Sequence, residues 1–265
     1  MYESIDVVVH KSATPQLRHS VAEAGRAVAE LVSLGVLWPL LDVKTEGDGH
    51  PVLVLPGFLG SDFSTSAIRG YLQRHGFDAL PWLQGRNTGR SSKQASLHSY
   101  FLQISDQCGE PVSLVGHSLG GVFARELARQ YPDRVRSVVT LGSPFGTTDG
   151  AAVAQFVKRM FERIAQQSVE QLRRELNALD PRLPPGVPAT AIFSRTDGVV
   201  HWQSCLEQIT EQTENIEVHG SHCGLVVNPS ALVAIVDRLA QPYGGWQKFA
   251  HTGTMPGVRF PSHTQ

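Results

Sequence analysis

Cysteine is scarce in this chain of 265 residues: three are present, none in a Cys-x-x-Cys pair or at a zinc-ligand spacing. That excludes a disulfide-stapled small fold and a cysteine-built metal centre, so no metal site is expected. Each thiol reads as a small buried hydrophobe. Net charge is equally slight, at -1, and no basic stripe carries interleaved aromatics, which excludes nucleic acid as a partner. Long apolar runs are missing too. The longest, Leu31 to Leu41, is broken by Ser33, Gly35 and Pro39 and is too short to span a bilayer. The start, Met1-Tyr2-Glu3-Ser4-Ile5-Asp6, lacks a basic stretch followed by a hydrophobic one, so no secretory signal is read and the default location is cytoplasmic.

What is present is a globular composition, 41% hydrophobic and 18% charged, in a length that suits one large α/β domain or two small ones. Its focus is Val112-Ser113-Leu114-Val115-Gly116-His117-Ser118-Leu119-Gly120-Gly121. Residues of strand character run into Gly-x-Ser-x-Gly, and Val122, Phe123, Leu127 and Ala128 follow at helical spacing. A strand that reverses abruptly into a helix holds its turn residue in a strained conformation with the side chain pushed out beyond the sheet. Ser118 is therefore the candidate nucleophile. The Leu119 amide is left free at the helix N-terminus, in a field that favours developing negative charge.

Residues 14 to 34 predict an amphipathic helix with Leu17, Val21, Ala24, Val28 and Leu31 on one face, ended by Pro39 and the polar stretch Thr45 to Gly49. Two readings of this arm, residues 1–48, stay open: packing against the domain, or contact with a lipid surface or the substrate entrance. Pro51 to Leu55 is a short apolar run of the kind buried on both faces of a parallel sheet. It enters the small-residue loop Pro56-Gly57-Phe58-Leu59-Gly60-Ser61 at the carboxyl edge, where ligands bind. The Phe58 amide is thus a partner for Leu119 in an oxyanion hole, such a donor typically mattering by ~3 kcal/mol.

A helix is expected over Ser64 to Arg74 and a strand over Phe77 to Trp82. The loop Gln84 to Arg90 lacks phosphate-cradle spacings and reads as a structural loop near the site. A helix from Lys93 to Cys108 leads to the central strand, and Val135 to Leu141 is the strand after the nucleophile helix. Residues 147–188 carry Phe156, Met160, Phe161, Ile164, Val169, Leu172, Leu176 and Leu179 at helical spacing, closed by Pro181, Pro184, Pro185 and Pro188. They predict a small helical cap offering an apolar pocket, or else a helix pair on the sheet's periphery. Ala189 to Ser194 and Asn215 to His219 predict strands, separated by a helix over Trp202 to Thr210, and Ser230 to Leu239 the last helix. The tail, 244–265, is expected to be loosely attached.

A serine hydroxyl needs a base, and the base needs a partner that fixes its tautomer. Asp197 and His222 follow predicted strands in the chain order Ser, Asp, His. Asp149 is an alternative acid, while His219 and His201 read as structural. Cys205 and Cys223 lie just past these two segments, leaving open a bridge that a reducing cytosol disfavours.

Pro56-Gly57-Phe58, Gly116 to Gly121, Ser194-Arg195-Thr196-Asp197-Gly198-Val199-Val200 and Gly220-Ser221-His222-Cys223-Gly224-Leu225 together resemble the bacterial esterase/lipase group of the α/β-hydrolase superfamily, over roughly residues 50 to 240. The resemblance implies a mostly parallel sheet with helices on both faces, built from 49–146 and 189–243. It also implies no cofactor and hydrolysis through an acyl-enzyme. It carries the nucleophile to Ser118, the acid to Asp197 and the base to His222. Pro56-Gly57 departs from the His-Gly of many members. The expected function is a carboxylic ester hydrolase, a carboxylesterase or triacylglycerol lipase, acting on small-molecule esters with apolar acyl groups. Acyl transfer, lactone or thioester cleavage by the same triad, a peptidase, and a non-catalytic binding protein of the same fold are the alternatives.

Overall fold

The computed structural model describes residues 14–41, 43, 46–146, 152–176, 183–250 and 255–261. The chain opens with helix α1 (Leu17–Leu37) and reaches β1 (Pro51–Leu55). Next come α2 (Ser66–Arg74), the short β2 (Asp78–Leu80) and α3 (Ser91–Cys108). The centre is β3 (Val112–His117), α4 (Leu119–Gln130) and β4 (Val135–Leu141). After α5 (Gln155–Ala165) and α6 (Val169–Leu176) come β5 (Ala189–Phe193), β6 (Thr213–Glu217) and α7 (Pro229–Leu239).

The six strands form one sheet in the order β2-β1-β3-β4-β5-β6, and every neighbouring pair is parallel. Period-2 alternation divides β1 between two cores. Val52 and Val54 join Ile68, Tyr71 and the apolar side chains of α7 on one face. Leu53 and Leu55 join Leu97 and Phe101 of α3 and Phe123 and Leu127 of α4 on the other. A strand sandwiched in this way has no solvent face, which is why its sequence is apolar throughout. All carboxyl ends share one edge, and the loops that follow β1, β3, β5 and β6 open there.

Several sequence expectations shift. The helix expected over Trp202 to Thr210 is only a 3-10 turn, Trp202–Cys205. Its continuation is tied in extended form, with Thr210 N–H donating to Thr213 Oγ1. The described part of the tail, 244–250 and 255–261, is docked rather than loose. Phe249, Met255, Val258 and Phe260 pack on the core, and the Arg259 amide donates to Ser230 Oγ. All three cysteines are free, Cys205 buried and Cys223 exposed, so the bridge between them does not form. Asp149, Leu179 and Pro181 lie outside the described residues.

The largest correction concerns α1. The helix forms as the periodicity predicts, but its apolar stripe faces outward: Leu17 and Val21 are 78% exposed and Val36 71%. Val28, Leu31 and Val32 are exposed beside them. Ser20, Glu23, Arg26 and Glu30 face the protein instead, hydrogen-bonded to the loops after β5 and β6. Those loop amides need acceptors once water is excluded, and the carboxylates supply them.

At the turn between β3 and α4, a side chain on Gly120 would collide with the Leu55 carbonyl oxygen. Gly120→Ala is therefore expected to cost ~3 kcal/mol or more in urea unfolding, by overpacking against backbone that cannot yield. Gly25, on the open face of α1 with nothing within 4 Å of a built Cβ, provides the contrast. Gly25→Ala is expected to stabilise by ~1 kcal/mol through helix propensity.

Candidate active site

Ser118 stands between β3 and α4 with φ 51° and ψ -120°, a conformation a non-glycine residue holds only when its surroundings over-determine it. Those surroundings are visible. The Ser118 amide donates to the Leu141 carbonyl at 2.8 Å, and the Gly121 amide donates back to the Ser118 carbonyl at 3.0 Å. Gly57 lies against the same turn, where an added Cβ would come 3.1 Å from Ser118 Cβ and 2.8 Å from His117 Nδ1. The loop after β1 thus passes directly over the serine turn.

Asp197 follows β5 and His222 follows β6, and both are 4% exposed. Their side chains meet, His222 Nδ1 donating to Asp197 Oδ2 at 2.6 Å. The other carboxylate oxygen, Oδ1, accepts the Val199 amide at 2.8 Å and the Val200 amide at 2.7 Å, so the acid is fixed by its own loop. With Nδ1 carrying the shared proton, Nε2 is left as the basic nitrogen. Burial opposes the His222 cation, but the charge of Asp197, its hydrogen bond and the more distant Glu23 outweigh burial and raise the imidazole above its ordinary value. Gly142, just after β4, lies against this pair: a Cβ there would come 3.1 Å from His222 Nδ1 and 3.2 Å from Asp197 Oδ2. The ring of His117, next to the nucleophile, has its centroid 5.0 Å from that of His222. Ser118, Asp197 and His222 therefore occupy one edge, and the Ser118 hydroxyl makes no hydrogen bond among the described residues.

The Phe58 and Leu119 amides, the expected oxyanion donors, have no acceptor among the described residues. Both residues line the pocket that contains Ser118. That pocket is walled by Val122, Val157, Phe161, Val169 and Leu172. Helices α5 and α6 therefore border this pocket, with the Phe58 and Phe161 rings 5.2 Å apart. Among the described residues of the lining the one cation is Lys158, paired with Glu170 at 2.8 Å.

Sequence reasoning missed three supports. Buried Asn87 donates from Nδ2 to the Pro56 carbonyl, accepts the Leu59 amide on its own carbonyl and donates its amide to the Gly60 carbonyl. It holds both ends of the loop that carries Phe58. His117, half-buried and neutral, is pushed down to about 3 chiefly by desolvation and then by the His222 charge. It meets the His222 carbonyl at 3.0 Å through Nε2. The third is the polar face of α1. A signal existed only for α1: its few charged side chains share one face, while the opposite arc is nearly free of charge.

A family model described as alpha/beta hydrolase fold matches residues 50–169, a span that includes Ser118 and both amide donors but ends before Asp197 and His222. The chain is 34% identical over 158 residues to the sn-1-specific diacylglycerol lipase ABHD11 of Mus musculus, covering 56% of this chain and 50% of that protein. It is 31% identical over 119 residues to a triacylglycerol lipase of Pseudarthrobacter phenanthrenivorans, covering 41% of this chain and 36% of that one. The chain thus spans half or less of the length of these relatives. Among solved structures, Aspergillus fumigatus lipase B superposes with a TM-score of 0.56 at 17% identity, over 77% of this chain and 56% of its own, a likeness of fold. The parallel sheet, the strained serine turn on its central strand and the family match over residues 50–169 agree: the chain has the α/β-hydrolase fold and is similar to members of that superfamily.

Proposed function

We propose that the protein is a serine carboxylic ester hydrolase acting on hydrophobic esters through an acyl-enzyme. The observation that carries this reading is the buried Asp197–His222 hydrogen bond at the edge where the Ser118 turn opens into an apolar pocket. The diacylglycerol and triacylglycerol lipases among the relatives support a lipid ester as substrate.

As the ester enters, the Ser118 hydroxyl turns onto His222 Nε2, which takes its proton while Oγ bonds to the carbonyl carbon. The Phe58 and Leu119 amides hold the oxyanion, and the charge of Asp197 stabilises the imidazolium. His222 then protonates the departing alcohol oxygen as its bond to carbon breaks. Water enters, loses its proton to the same nitrogen and releases the acid. The apolar walls bind the acyl chain and exclude water, so each electrostatic contact acts in a low dielectric. In this reading α5 and α6 form the cap over the site.

The outer arc of α1 supports a further part of this reading, contact with a lipid surface. The arc presents six exposed aliphatic side chains, and its flanking charge is the cation Arg18. An uncharged stripe of this kind inserts at the boundary between headgroups and acyl chains. Among the described residues no helix is long and apolar enough to cross a membrane.

Three outcomes test these statements. Ser118→Ala is expected to abolish fluorophosphonate labelling and to lower kcat on p-nitrophenyl esters by about 10⁶-fold, the scale seen when such nucleophiles are removed. Retained hydrolysis in that variant would sink the assignment. Because His222 must be neutral to act and its pKa is raised, kcat/KM is expected to fall with decreasing pH through a limb lying above the ordinary imidazole value. Asp197→Asn moves that limb to lower pH and cuts kcat by about 10⁴-fold. Finally, the double variant Val21→Glu and Val28→Glu should lose co-sedimentation with phosphatidylcholine vesicles while keeping its rate on a soluble short-chain ester. Unchanged sedimentation would remove α1 from the lipid contact.

A further inference from the structure

Four side chains of α1, at positions 20, 23, 26 and 30, fall on one helix face and reach the two loops that carry Asp197 and His222. The pattern of contacts is unusually ordered. Arg26 donates from Nη1 to the Thr196 carbonyl at 2.5 Å and from Nη2 to Thr196 Oγ1 at 2.7 Å, holding the residue before the acid. Glu30 accepts the Ser221 amide at 2.7 Å and the Ser221 hydroxyl at 3.2 Å, holding the residue before the base. Ser20 donates to the Gly198 carbonyl at 2.5 Å, on the residue after the acid. Glu23 reaches both loops at once. Its Oε2 accepts the Gly198 amide at 3.1 Å and its Oε1 accepts the Cys223 amide at 2.8 Å, so one carboxylate ties the residue after the acid to the residue after the base.

We propose that α1 is the positioning element of the triad, with Glu23 as the clasp that sets the spacing of the Asp197 and His222 loops. This rests on the reading of Ser118, Asp197 and His222 as the triad. None of these α1 groups touches the reacting atoms. They act through the backbone on either side of the two catalytic side chains, and a charge-assisted hydrogen bond to a buried amide is both strong and directional. An apolar contact would cover the loops without fixing their separation.

Glu23 has a second effect that a merely structural carboxylate lacks. The groups around His222 are Asp197 from the loop after β5, Glu23 with His19, Arg26 and Glu30 along α1, His117 at the end of β3, and Cys223 on its own loop. Of these, Asp197 and then Glu23 favour the imidazolium. Loss of the Glu23 charge therefore lowers the His222 pKa, whereas Glu30 acts on Ser221 and leaves it in place.

The test compares Glu23→Gln, Glu30→Gln and Arg26→Lys with the unaltered protein. Two readouts are used: the titration of His222 followed by NMR, and kcat and KM on a soluble p-nitrophenyl ester, with thermal unfolding recorded for each. Glu23→Gln is expected to move the His222 titration to lower pH and to reduce kcat by ~10- to 100-fold with KM nearly unchanged, the scale of a misplaced catalytic group. Glu30→Gln and Arg26→Lys should reduce kcat without moving the titration. A folded Glu23→Gln protein with unaltered titration and kcat would overturn the proposal. Should Glu23→Gln not fold, unchanged kcat in both of the other variants would overturn it equally. An unaltered protein that fails to hydrolyse esters brings down the hydrolase reading alone, because the NMR titration still decides whether Glu23 governs His222.

Discussion

Everything at the proposed catalytic edge depends on the Asp197–His222 hydrogen bond, which two separate loops must deliver to one buried spot. Inside a protein such a bond is worth more than in water, and a half-made one costs more. The sheet does the coarse placement. β5 and β6 are neighbours in register, Phe193 opposite Glu217, so their loops leave the sheet at the same level. The loops are then sewn together, Ser194 Oγ donating to the Gly220 carbonyl at 2.7 Å. Gly142 closes the arrangement from β4, its bare Cα leaving room for both side chains.

Ser118, the proposed nucleophile, is positioned by a different device. The backbone of Ser118 is strained, and the strain persists because glycine contacts leave the chain no other path. Gly116 lies against Gly121, and Gly120 against Leu55, so β3, α4 and β1 approach more closely than side chains would permit. The loop after β1 is held from outside by Asn87, whose partners are the backbone atoms of Pro56, Leu59 and Gly60. Rigid strands, a strained turn and a pinned loop thus bring three segments of chain to one pocket.

How much of this the sequence revealed follows from where the information resides. Strands buried on both faces announce themselves as apolar runs, so β1, β3 and β4 are legible, and β4 is read to the residue. The serine turn is legible because its glycines and its strand and helix flanks are all local. Asp197 and His222 are legible because residues just past parallel strands share an edge. Asn87 is not, since its bonds go to main-chain atoms that carry no residue signature. The segment after Trp202 misleads because the Thr210–Thr213 contacts that keep it extended are side-chain choices no periodicity encodes. The tail misleads because Phe249 and Phe260 are isolated apolar residues in polar surroundings, and only the core shows where they dock.

Helix α1 is the instructive case. Periodicity identifies a helix and divides it into two faces, but it cannot say which face turns inward, and the usual assumption that the apolar one does is wrong here. The only residues α1 buries are Glu23 and Leu34. Hydrophobic attraction is non-directional and grows with the area removed from water, so packing the aliphatic face inward would add stability without adding geometry. Hydrogen bonds contribute less net free energy, about 1 kcal/mol each and somewhat more to charged groups, but they specify distance and angle. The helix gives up the larger, shapeless term for the smaller, directional one, and it does so against the two loops that carry Asp197 and His222. Stability forgone at a site for the sake of its geometry is the ordinary signature of function, and the outward aliphatic arc of α1 is its visible consequence.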